Sequence, residues 1–399
     1  MLKRKAWERL CAWYRQGSKK ALLIKGARQI GKTTLVREFA RQHYECFVEV
    51  NFLTDSRAAA IFSHALDADT VTENLSAYAR RALVPGKTLV LLDEIQECPE
   101  ARTAIKFLVE DGRFDYVETG SLLGVKTNLV PSYPVGFEEH LQMFPLDFEE
   151  FCRACGVQQE TFDYLQKCFE QKKPVSQAIH ETMLKLFSAY VVVGGMPEVV
   201  QRYVDTHDIA QVEALQQDLL DSYRLDIAKY ADKGGTAKIR SIFDAIPSQL
   251  DDKNRRFVLA DLAKSARMDR YESSFLWLAD AGVALPCYNV TQPTAPLEAN
   301  SKHSLMKLFM GDTGLLCAAS LDGAQFDVLQ GNLSANMGSI AENVIAQELR
   351  ARGFGLHCFN AKRVGEGGQG DVPAAVHGHV HPTCKTARAS TVRSRPFDA

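Results

Sequence analysis

The fold is decided by the stretch Lys25-Gly26-Ala27-Arg28-Gln29-Ile30-Gly31-Lys32-Thr33-Thr34. The apolar run 21–24 precedes it, and the segment 35–41 that follows carries apolar residues at helical spacing. A strand, a glycine-rich turn and a helix start are the context of a phosphate-binding loop. Gly26 and Gly31 let backbone N–H groups close around phosphate oxygens where a Cβ would collide. The predicted nucleotide-binding residues are Gly26, Ala27, Arg28, Gln29, Ile30, Gly31, Lys32, Thr33 and Thr34.

Two side chains of this loop carry the chemistry that a nucleoside triphosphate needs. Lys32 is placed to reach the β- and γ-phosphates, and the Thr33 hydroxyl is placed to ligate Mg²⁺. The N-terminus of the following helix adds partial positive charge. An ordinary glycine turn before a basic helix is the alternative, and the flanking strand and helix speak against it. The predicted ligands are therefore ATP and Mg²⁺.

Two acidic residues follow a second apolar run. The run 88–92 is apolar on both faces, which predicts a central strand of a parallel sheet. Asp93 and Glu94 then lie at the edge where open α/β sheets bind ligands. Asp93 is predicted to hold Mg²⁺ through water, as the acidic partner of Thr33. Glu94 is placed to orient and deprotonate the water that attacks the γ-phosphate, although a solvated acidic turn is an alternative.

The segment 116–121 reads as a further strand that ends in polar residues. At this position in an ATPase sheet, a hydroxyl can be aimed at the attacking water or at the γ-phosphate. Thr119 and Ser121 are the candidates for this catalytic role. A plain strand-to-loop turn explains the same residues equally simply.

Composition sets wide limits on the partners. The chain has 399 residues, 46% of them hydrophobic and 24% charged, with a formal net charge of −2. This near-neutral charge does not indicate that the chain as a whole binds nucleic acid or a membrane, although it does not exclude a locally basic face. No run of about 18 apolar residues occurs, so we expect no membrane helix.

The N-terminal residues and the cysteines predict a compartment. The basic residues near the N-terminus lack the following apolar stretch of an export signal. With 10 scattered cysteines and no such signal, we expect reduced thiols in the cytoplasm. Cys152 and Cys155 form one C-x-x-C, but no second pair follows at zinc spacing, so two incidental thiols compete with a metal or redox role.

The chain divides into predicted regions. Residues 1–155 form the nucleotide domain, an α/β fold with a parallel sheet and helices on both faces. Residues 156–235 read mostly as helices, interrupted by the turn 194–197. After Arg363 the sequence becomes rich in Gly, His, Pro, Thr and Arg without an apolar period, so 364–399 is expected to be disordered or poorly packed.

Residues 236–325 include a pattern similar to a winged helix-turn-helix. We predict a first helix over 257–266 and a second over 269–278, capped by its first residue. The segments 281–285 and 288–290 are then expected to form the wing.

Such a module often enters a DNA groove. The second helix, however, offers only Arg270, Ser273 and Ser274 to base edges or phosphates. Packing against other parts of the protein is therefore an open alternative to DNA binding.

The ordered set of motifs over residues 1–363 resembles a family, the bacterial and archaeal AAA+-type ATP-binding proteins that carry a C-terminal domain of unknown function. The phosphate-loop and Asp-Glu motifs alone fit many ATPases, whereas the whole set in this order is much more specific. The residues that carry the resemblance are 26–33, 92–96, 119–121, 145–151, 194–197, 271–278 and 338–349.

The resemblance implies a nucleotide domain, a helical and winged-helix middle, and a truncated α+β domain similar to restriction endonucleases over residues 326–363. In that pattern a helix Glu, here Glu342, precedes a strand acid and then Glu-x-Lys. Asp371 is the candidate strand acid, and the Glu-x-Lys step is missing. Without these groups a two-metal hydrolytic site cannot assemble, so we expect no nuclease activity. The sharp break near 364–371 prompts the hypothesis that the tail is read in a shifted frame.

Three functions from different classes remain. The first is a Mg²⁺-dependent ATPase whose cycle moves the helical and winged-helix parts, with Arg224 or Arg240 as weak candidates for an arginine finger. The second is a nucleotide-gated DNA-binding or regulatory switch with little hydrolysis. The third, a kinase or GTPase, is disfavoured because no Asn-Lys-x-Asp motif is present. DNA, a protein or a second copy of the chain are the candidate partners, and no membrane is expected.

Overall fold

Five parallel strands form the sheet on which the N-terminal part is built. The structure is a computed structural model that describes residues 2–16, 20–121, 134–231, 234–251, 256–264, 266–320, 328–329 and 337–359. The sheet order is β2-β3-β4-β1-β5. The strands are Ala21–Lys25 (β1), Cys46–Asn51 (β2), Thr88–Asp93 (β3), Asp115–Gly120 (β4) and Glu138–Gln142 (β5). All six residues of β3 are buried, as the run of apolar side chains predicts for an inner strand.

Helices cover both faces of this sheet, which confirms the predicted α/β class. Because side chains alternate along a strand, β1, β3 and β4 each contribute to two separate apolar cores, one on each face of the sheet. Leu22 and Ile24 of β1 pack with Leu35 and Phe39 of the helix that follows the phosphate loop, whereas Leu23 belongs to the opposite core. The four helices are Ala6–Tyr14 (α1), Lys32–His43 (α2), Ala68–Ala79 (α3) and Pro99–Asp111 (α4). The first two lie on one face and the last two on the other.

The rest of the described chain is mainly helical. Its helices are Phe148–Ala154 (α5), Gln159–Glu170 (α6), Gln177–Val193 (α7), Pro197–Thr206 (α8), Ile209–Tyr230 (α9), Thr236–Asp251 (α10), Met268–Asp280 (α11), Thr313–Ser320 (α12) and Met337–Ala351 (α13). A small sheet of order β7-β6-β8 accompanies them. Its strands are Ala284–Val290 (β6), Ser301–Met310 (β7) and His357–Cys358 (β8). None of the helices in the described ranges is both long and apolar enough to cross a membrane.

A hydrogen-bonded cluster, which we call the Gly195 clamp, fastens this helical part to the sheet. The Leu146 N–H donates to the Gly195 carbonyl at 2.7 Å, and the Gly195 N–H donates to the buried Asp312 carboxylate at 2.7 Å. The Tyr190 hydroxyl donates to the Leu146 carbonyl at 2.8 Å and accepts from the Gln347 amide at 3.0 Å. A Cβ at Gly195 would collide with the Leu146 backbone. Close packing around the turn 194–197 therefore requires glycine at positions 194 and 195.

Two predicted elements of the N-terminal part differ from the structure. Residues 55–84 read as one helix from the sequence. In the structure they form two, a 3₁₀ helix Ala58–Phe62 and α3, because the Asp67 side chain caps a new helix by accepting from the Thr70 N–H at 2.9 Å. The sequence around Pro145 predicts a strand that includes residues 143–144, a break at the proline and then a helix. The predicted strand is wrong at these residues, because β5 ends at Gln142. The helix after Pro145 is confirmed, and Asp147 opens it with a capping box.

The first helix of the predicted winged helix is wrong. Among residues 257–264 and 266, which the structure describes, the only helical element is a 3₁₀ helix, Leu259–Asp261. The Phe257 N–H donates instead to the Met306 carbonyl of β7 at 2.7 Å, and the Val258 N–H donates to the Gln249 side chain at 2.8 Å, which holds this segment extended. The second helix is present as α11. The two wing segments, 281–285 and 288–290, are not separate strands, because the first runs into the single strand β6 and the second lies within it. Residues 364–399 lie outside the described ranges, and the region boundaries at 155, 235, 325 and 363 stay predictions.

Candidate nucleotide-binding site

The phosphate loop joins β1 to α2 and is shaped by its two glycines. Gly26 has φ +148° and Gly31, the N-cap of α2, has φ +84°, both in the range that favours glycine. A Cβ at Gly26 would collide with the Met143 carbonyl and with the Ile30 side chain. The loop therefore closes tightly in front of the N-terminus of α2, where partial positive charge favours an anion.

Lys32 is buried at the centre of this loop. Its ammonium donates to the Gly26 carbonyl at 2.9 Å and to the Ala27 carbonyl at 2.7 Å. Burial lowers the pKa of Lys32 to about 8, while the carboxylates of Glu94 and Asp93 act in the opposite direction. A phosphate in the loop would supply the negative charge that this buried ammonium lacks.

Asp93 is the centre of a cluster at the carboxyl edge of the sheet. The Thr33 hydroxyl donates to its two carboxylate oxygens at 3.0 and 3.2 Å, and the Asn51 amide donates at 2.8 Å. The Thr119 hydroxyl also donates to Asp93. Asn51, Asp93 and Thr119 are register partners on β2, β3 and β4, which explains why they meet. A hydroxyl and a carboxylate oxygen side by side suit Mg²⁺, a cation that prefers oxygen ligands.

Glu94 stands beside this cluster in an unusual backbone conformation. Its φ of 56° and ψ of 47° are left-handed, which is rare for a residue with a side chain. Its carboxylate accepts from the Gln96 amide at 2.5 Å and from the Ser121 hydroxyl at 3.3 Å. The turn directs the half-buried acid away from the sheet core, and the two donors fix its orientation.

Arg28 extends from the loop toward α9. Its Nε donates to the Ser121 hydroxyl at 3.3 Å, and its guanidinium pairs with the Asp226 carboxylate at 2.5 Å. The expected arginine-finger candidates are placed differently. Arg224 pairs with Asp221 and Asp244, and Arg240 lies 3.7 Å from Asp244.

An open cavity of about 700 Å³ lies in front of the loop. Its lining brings together loop residues, the acid Glu94 and the start of α8, which follows directly on the turn 194–197. Gln29, Thr33 and Thr34 face the same space. The charged side chains on this lining include Arg28, Lys32, Arg37 and Glu94.

The structure thus brings together most of the residues that the motifs predict, with two differences in detail. Thr119 is fully buried and its hydroxyl is directed to Asp93, and Ser121 is directed to Glu94, so both hydroxyls position acids. Sequence reasoning missed Asn51, Gln96 and Asp226. A polar residue at the end of a strand, as at Asn51, was a usable signal, whereas the position of Asp226 far along the chain offered none.

Two other candidate groups, Glu342 and the two cysteines Cys152 and Cys155, lie away from this site. The Lys307 ammonium pairs with Glu342, and Asp371 lies outside the described residues. Burial raises the pKa of Cys152 to about 12 and that of Cys155 to about 11, so both thiols stay protonated. Among the described residues, no group of three or more His, Cys, Asp or Glu side chains is arranged to hold a metal ion.

Two family models match separate parts of the chain. Residues 18–152 match the family model of an AAA domain, and residues 184–325 match that of a domain of unknown function (DUF8612). The uncharacterized protein MJ1544 of Methanocaldococcus jannaschii is 24% identical over 344 residues, which are 84% of this chain and 67% of that protein.

Two solved structures are similar at low identity. The Walker-type ATPase of Pyrococcus abyssi has a TM-score of 0.47 at 13% identity, over 80% of this chain and 96% of that chain. The RuvB Holliday junction branch migration motor of Thermotoga maritima has a TM-score of 0.34 at 14% identity, over 73% and 90%. With the loop, the acids and the family match in agreement, this chain contains an AAA-type P-loop domain over residues 18–152.

Proposed function

We propose that this protein binds ATP with Mg²⁺ and hydrolyses its terminal phosphate, and that the event moves the helical part of the chain. The observation that carries the proposal is the meeting of Lys32, Thr33, Asp93 and Glu94 at one edge of the sheet. Phosphoryl transfer needs little covalent chemistry from the protein, because positioning and charge neutralisation do most of the work. These four side chains supply a cation, two metal-binding oxygens and a base.

Each residue has a distinct role in this proposal. Lys32 and the loop N–H groups bind the phosphates. Thr33 and Asp93 would hold Mg²⁺, which, when bound, neutralises phosphate charge; Asn51 and Thr119 keep the Asp93 carboxylate in place. Glu94 accepts the proton of the attacking water, and the donors on it keep its lone pairs directed.

Two substitutions test the assignment. Lys32→Ala is expected to lose ATP binding by at least about tenfold, because the buried cation is removed from the phosphate site. Glu94→Gln is expected to bind ATP as the wild type does but to lose about 10²-fold or more in turnover, because an amide cannot take the proton. Isothermal titration calorimetry with Mg²⁺–ATP and a phosphate-release assay measure the two effects.

Matched controls separate these effects from general damage. Lys87→Ala removes an exposed lysine that pairs with Glu45, and Glu100→Gln removes an exposed acid in the first turn of α4, so both should behave as the wild type. Equal hydrolysis by the wild type and Glu94→Gln would contradict the role of Glu94. A folded wild type without Mg²⁺-dependent affinity for ATP would contradict the whole proposal.

A regulatory switch with little hydrolysis is the second candidate, and one observation favours it. Residues of α9 contact the phosphate loop directly, since the Tyr223 hydroxyl donates to the Arg28 carbonyl at 3.2 Å and Asp226 pairs with the Arg28 side chain. Binding of a nucleotide can therefore change the position of the helical part without hydrolysis. Tight binding with a turnover below about one per hour in the presence of Mg²⁺ would favour the switch over the ATPase.

A further inference from the structure

Arg28 lies between two carboxylates that belong to different parts of the chain. On one side its guanidinium pairs with Asp226 of α9 at 2.5 Å. On the other side its Nε donates to Ser121, which itself donates to the Glu94 carboxylate. The side chains of Arg28 and Asp226 are 22% and 17% exposed, so water screens this pair only in part. Arg28 is therefore a cation in the cavity beside the acid that is expected to activate water.

The helical part also contacts the backbone of the phosphate loop at Ala27 and Arg28. The Tyr223 hydroxyl, one turn before Asp226 on α9, donates to the Arg28 carbonyl at 3.2 Å. At the turn after α11, a Cβ at Gly282 would lie 3.0 Å from the Ala27 nitrogen. Two elements beyond the sheet thus contact two consecutive loop residues, and the conformation of the loop is tied to the position of α9.

A bound triphosphate changes the electrostatic balance at Arg28. Its terminal phosphate places negative charge in the same cavity, where a planar guanidinium is a favourable bidentate partner. If Arg28 stayed on Asp226, that carboxylate would repel the phosphate through a partly dehydrated medium. If Arg28 turned to the phosphate, Asp226 would lose its cation and α9 would lose one of its contacts with the loop.

We propose that Arg28 is a catalytic residue that exchanges Asp226 for the terminal phosphate of bound ATP, and that this exchange loosens α9 from the loop. The proposal rests on the proposed function. Arg28 neutralises charge that grows on the terminal phosphate and transfers no atom. ADP, which lacks that phosphate, leaves Arg28 on Asp226. The pair therefore distinguishes ATP from ADP and reports the difference to the helical part.

A double-mutant cycle with Arg28→Ala, Asp226→Asn and both together tests the exchange. Arg37→Ala and Glu49→Gln are the matched controls, because Arg37 lines the same cavity and forms a two-bond pair with Glu49 at 2.6 and 2.7 Å. For every variant, calorimetry gives the affinities for Mg²⁺–ATP and Mg²⁺–ADP, and a quenched mixing experiment gives the single-turnover rate. Circular dichroism confirms that each variant is folded.

Arg28→Ala is expected to lower the single-turnover rate about 10²-fold or more, with less than about a threefold change in ADP affinity. Asp226→Asn is expected to raise the preference for ATP over ADP about three- to tenfold, because Arg28 is released in advance. This gain should vanish in the Arg28→Ala background, and the control pair should show none of these effects.

The outcomes separate this inference from the function on which it rests. A wild type that binds no ATP would overturn the proposed function and the exchange with it. A wild type that binds ATP, with Arg28→Ala turning over at the wild-type rate, would overturn the exchange alone, as would an Asp226→Asn gain that persists without Arg28. If the wild type binds but does not hydrolyse, the ratio of ATP to ADP affinities still decides: no coupling between Arg28 and Asp226 in that ratio overturns the exchange.

Discussion

At the residue scale, Glu118 is a carboxyl group that the proposed chemistry does not use. It is fully buried on β4, and neither of its carboxylate oxygens has a hydrogen-bond partner among the described residues. Burial raises the pKa of Glu118 well above its usual range; the nearby Glu138 carboxylate adds to the rise, and Arg102 opposes it. Such a group is protonated in the folded protein at pH values where it is ionised in the unfolded chain.

The direction of the resulting pH dependence follows from linkage. Because the folded state holds the Glu118 proton more tightly, this group favours folding below its unfolded pKa, and the contribution is lost as the pH rises through the folded value. Glu118→Gln removes the titration, so we expect it to be more stable than the wild type at pH 8 by about 1–3 kcal/mol. The difference should shrink toward pH 5.

Urea denaturation at both pH values measures this difference, and Glu45→Gln, an exposed acid, is the control. A Glu118→Gln variant that is less stable than the wild type at pH 8 would contradict the prediction.

The residues that sequence reasoning found share one physical reason, and so do those it missed. Strands of a parallel sheet end at the same edge, so motifs after β1 and β3 are expected at one edge, and they meet there because only β4 lies between the two strands. Asn51 needs the strand order, since it meets Asp93 only because β2 and β3 are neighbours. The role of Thr119 and Ser121 depended on side-chain direction, which no sequence pattern specifies.

At the scale of elements, the Gly195 clamp decides how α7 and α8 meet the sheet. Gly195→Ala places a methyl group against the Leu146 backbone, which cannot move without disturbing the capped helix α5. We expect a loss of stability of about 1–3 kcal/mol, the usual cost of overpacking. Thermal unfolding followed by circular dichroism measures it.

Gly234→Ala is the matched control, because a Cβ there meets no atom of the described residues within 4 Å, and it should change stability by less than about 0.5 kcal/mol. Equal melting temperatures of the two variants would show that close packing of Gly195 against Leu146 does not contribute to stability.

Elements with a strong apolar period were predictable, and those decided by distant contacts were not. The runs that became β1 and β3 are short, apolar and bounded by turn residues, and they were assigned correctly. The strand β4, which ends in polar residues, was also predicted. The segment 257–266 has helical spacing, yet its first residues bond to β7 and Gln249, which lie elsewhere in the sequence. Tertiary hydrogen bonds here outweigh local propensity.

At the scale of the whole molecule, one apolar core runs from the sheet into the helical part. Trp13 of α1 and Trp277 of α11 belong to the same buried cluster, together with Leu35 of α2 and Val199 of α8. Shared apolar surface makes separate unfolding of the two parts costly, because each would expose the face that the other covers. We therefore expect them to unfold together.

Single-tryptophan variants measure this expectation, since the chain has only 3 tryptophans. With Trp7 replaced by Phe, variants that retain either Trp13 or Trp277 should give fluorescence transitions in urea with the same midpoint. Two separate midpoints would mean that the shared core does not couple the two parts.

Gly282 has a practical consequence for genetics. It packs against Ala27 in the loop that is proposed to bind the phosphates, yet it lies outside the AAA domain match. A screen for inactive alleles should therefore recover bulky replacements at this position, with every catalytic side chain intact. Such alleles would pass for defects in a downstream partner until their nucleotide affinity is measured.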